Sequence, residues 1–212
     1  MAEKIRCIII CGSPDFDANF IKSFVNPETD FIICADSGYL TAKRSDIIPH
    51  LFVGDFDSFS GEIPDDIEVI KLKVHKDDTD SMHCAEIAAQ RNFREVVLLG
   101  ATGARLDHTL ANLSVLEYLS DNKINAYIEN EKETVKLLSI GEYIFNNQNE
   151  KTFSVFPFGC DKITISYDGE VEYPANNLTV KSSVAVGISN IFRCDSVKVR
   201  LSKGKALFIV NK

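Results

Sequence analysis

The sequence has 212 residues, 45% of them hydrophobic, and a formal net charge of −8. That apolar content is enough to bury one large core or two smaller ones, and no apolar run is long enough to cross a bilayer. The acidic balance disfavours nucleic-acid binding, which depends on many Lys and Arg contacts to phosphates, and suits a metal cation or a cationic substrate.

The first part of the chain alternates short β-rich runs with polar, helix-compatible stretches. Strands are predicted at residues 5–11, 31–35, 51–54, 68–74, 95–99 and 124–129, and helices at 15–24, 39–44, 81–91 and 110–119. Several of these strands are continuous apolar runs, as expected of parallel strands covered on both faces. The alternation therefore predicts an α/β fold with a mostly parallel sheet.

The pattern changes after about Glu131, where short strands separated by turn residues replace the alternation. Strands are predicted in TVKLLSI, EYIF, KTFSVFPF, KITISYDG, VEYP, SVKVRL and ALFIV. Alternation with a period of two is clear at 162–166 and 197–201. We therefore predict two domains, an α/β domain at residues 1–131 and a smaller antiparallel β domain at residues 132–212.

The cysteines and the first residues predict the compartment. Six cysteines are scattered through apolar segments, without a C-x-x-C pair or a Cys/His cluster at zinc spacing, so we expect buried, reduced thiols. The opening residues MAEKIRC lack the apolar segment of a signal peptide. We expect a cytoplasmic protein that does not associate with a membrane.

Four polar clusters directly follow predicted strands of the α/β domain. They are GSPD at 12–15, DSG at 36–38, GDFDS at 54–58 and GATGARLDH at 100–108. The carboxyl ends of the strands line the binding crevice of an open parallel sheet. We therefore expect these clusters to converge in space.

The run GDFDS pairs two aspartates after an apolar strand. Asp55 and Asp57 are two residues apart in an extended loop, so their carboxylates can point to the same side. Mg²⁺ prefers one or two protein carboxylates together with phosphate oxygens and water. An isolated D-x-D is more often a turn whose aspartates bond the backbone. The position after the strand LFVG favours the metal site here.

The run KDDTD at 76–80 opens a predicted helix. Helix capping and favourable charge at the positive end of the helix dipole would explain one aspartate. Three aspartates within four residues repel one another unless a cation is near. We expect Asp77 and Asp80 to complete the metal site, directly or through water, while capping stays open as a role for each.

The run GATGARLDH predicts phosphate binding. Gly100 and Gly103 allow a loop whose backbone N–H groups approach phosphates before the next helix, although no G-K-[ST] follows as in a Walker A loop. Arg105 is the natural phosphate ligand, because its guanidinium is always charged and binds two oxygens at once. Asp107 and His108 are placed either to cap the helix or to take part in the site, and both roles stay open for His108.

Together these motifs resemble the thiamine pyrophosphokinase family. The matching runs are ADSG at 35–38, GDFDS at 54–58, KDDTD at 76–80, GATGARLDH at 100–108 and GISN at 187–190. Each run is weak alone, but five in order across nearly the whole chain are highly specific. The resemblance implies a Rossmann-like catalytic domain, a C-terminal β-sandwich and a homodimer with its active site between subunits.

The resemblance also implies an activity and its residues. The enzyme would use Mg²⁺ and transfer the diphosphoryl group of ATP to thiamine, giving thiamine diphosphate and AMP. The α/β domain would bind ATP and metal, and the β domain would bind thiamine and form the dimer. The implied residues are Asp55, Asp57, Asp77 and Asp80 for the metal; Asp36, Asp77, Arg105, Asp107 and His108 for ATP; Ser189 and Asn190 for thiamine; and Asp55, Asp57, Asp80 and Arg105 for catalysis.

The chain departs from the family pattern at three points. Ser37 and Ala104 stand where the family usually or often has glycine, which changes the expected backbone freedom there. The chain also has no Trp, so the aromatic platform that some members use for thiamine must be replaced or absent.

Two other functions fit the motifs less well. A metal-dependent phosphoesterase would activate water with a similar aspartate cluster, but it would need more histidine ligands than the sequence offers. A non-catalytic module that binds a nucleotide or thiamine would use the same crevice without turnover. The number of aspartates brought together argues against such a passive binder.

Overall fold

The computed structural model describes residues 6–56, 64–73, 78–103 and 105–212. The chain divides into two compact units, Met1–Glu131 and Lys132–Lys212. Among the described helices, none is both long enough and apolar enough to cross a membrane.

The first unit alternates strands and helices along the chain. Its elements are β1 (Arg6–Ile10), α1 (Ala18–Phe24), β2 (Asp30–Ala35), α2 (Gly38–Arg44), β3 (Leu51–Gly54), β4 (Glu68–Lys71), α3 (Asp80–Gln90), β5 (Glu95–Leu99), α4 (Leu106–Asp121) and β6 (Asn125–Glu129). The strand order is β6-β5-β1-β2-β3-β4, and the described pairs in this unit are parallel. The predicted α/β class with a mostly parallel sheet is confirmed.

The strands of this sheet are apolar because both of its faces are covered. Residues 7–10 of β1 have no exposed surface. On one face Ile8 and Ile10 pack in a core with Ile21 of α1 and Tyr39 of α2. On the other face, helix α3 contacts β1, β2 and β3, and helix α4 packs against α3 and contacts β6. Each buried aliphatic side chain contributes about 1.5–3 kcal/mol to the stability of the fold, so burial on both faces stabilises the sheet.

The helix boundaries differ from the predicted ones for local reasons. Helix α1 starts only after Asp17, whose carboxylate accepts hydrogen bonds from two backbone N–H groups of the first turn, at 2.8 and 3.0 Å. Helix α4 starts at Leu106, four residues before the prediction. The three residues after Leu106, at 107–109, are polar, so the first turn of α4 carries no apolar periodicity from which a helix could be predicted.

The second unit is built from antiparallel strands. Its elements are β7 (Glu133–Leu138), β8 (Gly141–Asn146), β9 (Thr152–Pro157), β10 (Lys162–Asp168), β11 (Leu178–Lys181), β12 (Asn190–Ile191), β13 (Ser196–Lys203) and β14 (Ala206–Asn211). They pair in the orders β12-β9-β14-β7 and β11-β10-β13-β8. One core with Phe153, Phe192 and Phe208 draws side chains from both sets of strands. The separate antiparallel β region predicted from the sequence is confirmed.

One strand prediction in this unit is wrong. The run VEYP at 171–174 is not a strand, and Val171 makes only an isolated bridge to Phe192. Strand β11, which was not predicted, lies just beyond it. Pro174 has no N–H to give to a strand ladder. Strand β11 was missed because its alternating run, LTVK, is only four residues long.

Candidate functional site

A cleft of about 460 Å³ opens at the carboxyl ends of β1, β2 and β5 in the first unit. Residues that follow these three strands line it, together with the start of α3 and one face of α4. Strand order reverses between β1 and β5, and open parallel sheets bind ligands at such a point. The volume lies in the range of small-molecule sites.

The predicted site residues divide into four groups. Asp36, Asp80, Arg105 and His108 line the cleft. Asp55 follows β3, and Asp107 lies in the first turn of α4; neither is part of the lining. Two further predicted residues, Asp57 and Asp77, lie outside the described residues. The predicted thiamine residues, Ser189 and Asn190, belong to the second unit.

Asp36 is held at the end of β2 in an unusual backbone conformation. Its φ is 44°, in the left-handed region that costs a non-glycine residue free energy. Its backbone N–H donates to the Val53 carbonyl at 2.8 Å, and its carbonyl accepts from the Tyr39 N–H at 3.0 Å. These bonds hold the residue in place, so the carboxylate starts from a rigid position on the cleft wall.

Ser37 fits the structure because of the glycine opposite it. A Cβ on Gly12 would overlap the Ser37 hydroxyl and lie 2.8 Å from the Ser37 Cβ. Ser37 precedes α2, yet its side chain makes no capping hydrogen bond there. Because Gly12 has no side chain, there is room for the Ser37 side chain. Ser37 stands at a position where the family that the motifs resemble usually has glycine.

At the start of α3, one residue caps the helix and its neighbours line the cleft. Thr79 is the N-cap, and its hydroxyl accepts a hydrogen bond from the Met82 N–H at 3.2 Å. The aspartates on either side are therefore not needed as the cap. Asp80 is the first helical residue and lines the cleft with Asp78, which sequence patterns did not single out.

The loop after β5 requires its glycines. Gly100 has φ 60° and Gly103 has φ 121°. A Cβ at Gly100 would lie 2.7 Å from the Cys11 carbonyl oxygen, and one at Gly103 would lie 2.7 Å from the Ser13 hydroxyl. The Ser13 N–H also donates to the Gly100 carbonyl at 3.1 Å. The loops after β1 and β5 therefore pack directly on each other and form the cleft floor.

Arg105 and Asp107 form an ion pair at the mouth of the cleft. Arg105 Nε and Nη2 donate to the two carboxylate oxygens of Asp107, at 3.2 and 2.6 Å. This bond from the guanidinium lowers the pKa of Asp107 below its ordinary value. Both side chains are more than half exposed, so the pair is open to exchange with an anionic ligand.

The donors on the cleft wall suit a hard cation. Asp36, Asp78 and Asp80 offer carboxylate oxygens, which Mg²⁺ prefers. Cys11 also lines the cleft, but burial raises the pKa of its thiol to about 12, so it is not a thiolate ligand at neutral pH. Over the described ranges, which leave out Asp57 and Asp77, no three His, Cys, Asp or Glu side chains form a metal-binding group.

Asn190 has a structural role in the second unit. Its side-chain oxygen accepts from the backbone N–H groups of Tyr173 and Ile191, both at 2.9 Å, and its Nδ2 donates to the Tyr173 carbonyl at 2.8 Å. The residue is only 5% exposed, whereas Tyr173 is 64% exposed. Asn190 therefore fixes the backbone of an exposed aromatic residue, and its predicted contact with thiamine stays a prediction.

Several polar side chains on the cleft wall were not selected from the sequence. They are Ser13, Asp78, Thr79, Ser81, Thr102, Thr109 and Asn112. Most lie within or beside the predicted motifs, so the motif positions were their only signal. Asn112 lies on α4, where the sequence pattern predicts only a helix and gives no reason to assign this residue to a site.

The comparisons with known proteins agree with this geometry. Residues 24–128 match the family model described as thiamin pyrophosphokinase, catalytic domain. A thiamine pyrophosphokinase of Bacillus subtilis is 27% identical over 188 residues, which cover 86% of this chain and 87% of that relative. A thiamin pyrophosphokinase of Caenorhabditis elegans is 22% identical and covers 87% of this chain and 80% of its own length.

Solved structures share the fold over nearly the whole chain. The crystal structure of thiamine pyrophosphokinase from Bacillus subtilis has a TM-score of 0.85 at 24% identity and covers 98% of this chain and 99% of that one. Thiamin pyrophosphokinase from Candida albicans has a TM-score of 0.76 at 19% identity, with 97% and 89% covered. The matched family model, over residues 24–128, places the first unit of this chain in the thiamin pyrophosphokinase catalytic-domain family.

Proposed function

We propose that the protein is a thiamine pyrophosphokinase that transfers the diphosphoryl group of ATP to the hydroxyethyl oxygen of thiamine, with AMP as the leaving group. The observation that carries this proposal is the cleft at the strand-order reversal, where aspartates face Arg105 and a glycine-dependent loop. Carboxylates for a metal and donors for phosphates are the two needs of a phosphoryl-type transfer. The family relationship supports the same activity.

We propose a Rossmann-like mode of ATP binding. The backbone N–H groups of the loop at 100–103 would meet phosphate oxygens, and Arg105 would bind two oxygens at once after leaving Asp107. Asp36, Asp77, Asp107 and His108 would complete the nucleotide contacts. His108 lines the cleft one helical turn from Asn112, which suits a donor to the nucleotide.

The acidic residues would hold Mg²⁺. Asp55, Asp57, Asp77 and Asp80 are the proposed ligands, bound directly or through water. When bound, the metal neutralises phosphate charge and aligns the phosphate chain. Because transition states of this kind are loose, we expect the residues to act by positioning and electrostatics rather than by strong base catalysis.

For thiamine we propose Ser189 and Asn190, in a homodimer whose active site lies at the subunit interface. Small neutral donors and acceptors can bind the aminopyrimidine ring without repelling the cationic thiazolium. Next to Ser189, Val184, Val186 and Ile188 are about half exposed, and such apolar patches commonly mark interfaces. Specific activity that falls as dilution dissociates the dimer would support the shared site; constant activity in isolated monomers would contradict it.

The activity is tested with ATP, Mg²⁺ and thiamine. We expect thiamine diphosphate and AMP in equal amounts, and neither product when thiamine is left out. Inorganic phosphate without AMP would indicate the phosphoesterase instead. Binding of ATP without any product would indicate the non-catalytic module.

Arg105→Lys is expected to lower kcat/KM about tenfold or more, although the positive charge is kept. A lysine cannot offer the paired planar donors that bind two phosphate oxygens. Steady-state kinetics with ATP as the varied substrate test this result. Arg44→Lys, which changes an exposed arginine at the end of α2 outside the cleft, is the control. Near-normal kinetics for Arg105→Lys would make Arg105 a surface residue.

Ser189→Ala is expected to raise the KM for thiamine about three- to tenfold and leave the KM for ATP unchanged, because one neutral hydrogen bond is lost. Ser189 is a better test than Asn190, since Asn190→Ala would also leave the Tyr173 backbone groups unsatisfied. Ser183→Ala, another exposed serine of this unit, is the control. Equal changes in the KM for thiamine and the KM for ATP would indicate that thiamine binds at another site.

A further inference from the structure

Asn112 is a buried amide on the wall of the cleft that the proposed chemistry does not use. It lies on α4 one turn after His108 and is 6% exposed. Its Nδ2 donates to the Ala101 carbonyl oxygen at 2.7 Å, which ties α4 to the loop after β5. A buried amide that forms a short hydrogen bond with a cleft loop helps to fix the orientation of the peptide groups in that loop.

The carbonyl oxygens of Gly100 and Ala101, at the start of this loop, accept hydrogen bonds from protein donors. Gly100 accepts from the Ser13 N–H at 3.1 Å, and Ala101 accepts from Asn112 at 2.7 Å. The Thr109 hydroxyl lies 3.5 Å from the Gly103 carbonyl oxygen and 3.3 Å from that of Arg105, so its single hydrogen is shared between them. Carbonyl oxygens carry partial negative charge and repel phosphate, whereas peptide N–H groups attract it. A loop whose carbonyls are engaged by protein donors therefore favours an anion in the cleft.

We propose that Asn112 is a positioning residue for the phosphate chain of the nucleotide, and that it acts by holding the Ala101 carbonyl oxygen away from the anion. This inference rests on the proposed function for the choice of ATP as the ligand. Asn112 itself does not contact the phosphates. It acts through the loop at 100–103, and its hydrogen bond to the Ala101 carbonyl, at 2.7 Å, is shorter than the one from Ser13 to Gly100, at 3.1 Å.

The chain contains a matched control on the same helix. Asn122, the C-cap of α4, donates from its Nδ2 to the Tyr118 carbonyl at 2.8 Å, and it is exposed and outside the cleft. Asn112→Leu and Asn122→Leu each remove one hydrogen bond from a side-chain amide to a backbone carbonyl, and neither adds a charge. Only the first change affects the loop in the cleft.

The test measures binding of ATP, tripolyphosphate and adenosine to the purified chain by calorimetry. For Asn112→Leu we expect about tenfold weaker binding of ATP and of tripolyphosphate, with adenosine binding unchanged. Asn122→Leu is expected to bind all three as the wild type does. If Asn112→Leu prevents folding, Asn112→Ala, which removes the same hydrogen bond with a smaller side chain, is measured in its place.

The outcomes separate this inference from the proposed function. Unchanged binding, or an equal loss for adenosine and ATP, would overturn the positioning role, as would a wild-type chain that does not bind tripolyphosphate. If phosphate binding depends on Asn112 but the wild type forms no thiamine diphosphate, the positioning role stands and the proposed function fails. A raised KM for ATP with an unchanged KM for thiamine is the kinetic form of the expected result.

Discussion

Asp80→Asn is expected to lower kcat/KM by about a hundredfold or more while the protein stays folded. Asp80 lines the cleft together with Asp36 and Asp78, so a cation bound there would offset the repulsion among these carboxylates, and Asp80→Asn would weaken that binding. Thr79 caps α3 and is unaffected by the change. The helix loses only a favourable charge in its first turn, which is about 0.3–1 kcal/mol.

The measurement is kcat/KM over a range of Mg²⁺ concentrations, with thermal unfolding followed in parallel. Asp65→Asn is the control, because Asp65 is exposed and lies outside the cleft. We expect it to behave as the wild type. Wild-type kinetics for Asp80→Asn at low Mg²⁺ would remove Asp80 from the metal site and leave it as a residue of the first helical turn.

Gly38→Ala is expected to destabilise the fold by about 3 kcal/mol or more. A Cβ at Gly38 would overlap the Ile10 carbonyl oxygen and lie 2.8 Å from its carbon. The obstacle is the backbone of β1 at Ile10, which is fully buried in the middle of the sheet and cannot move aside. Helix α2 would have to shift, which would also displace Asp36 and Ser37.

Chemical unfolding measures this loss, and Gly141→Ala provides the control. A Cβ at Gly141 would have its nearest neighbours at 3.7 Å, an ordinary contact distance. We expect that variant to keep wild-type stability within about 1 kcal/mol. If the two alanine variants unfold at the same denaturant concentration, the close approach of α2 to β1 does not constrain the fold.

The α/β layout could be predicted because burial on two faces leaves a direct mark on the sequence. Strands such as β1 and β5 are continuous apolar runs, and each ends at a polar cluster. Because the carboxyl ends of parallel strands line a crevice, the sequence also predicts that Asp36 and Arg105 share one site. Both line the cleft.

Other features could not be predicted because they depend on contacts across the fold. The bond between Asn112 and Ala101 links residues that a sequence pattern assigns to a helix and a loop. The exposed first turn of α4 likewise depends on how the helix lies in the fold. Strand β11 escaped prediction because the alternation of apolar and polar residues in its sequence, LTVK, spans only four residues.

The central claim is that one enzyme moves two phosphoryl groups of ATP together onto thiamine. The most direct measurement supplies ATP labelled at the β-phosphorus, with Mg²⁺ and thiamine, and follows the label through separated products. The account predicts labelled thiamine diphosphate and unlabelled AMP, at equal rates of formation. Label that stays in ADP, or that appears in inorganic phosphate or diphosphate without thiamine diphosphate, would contradict it.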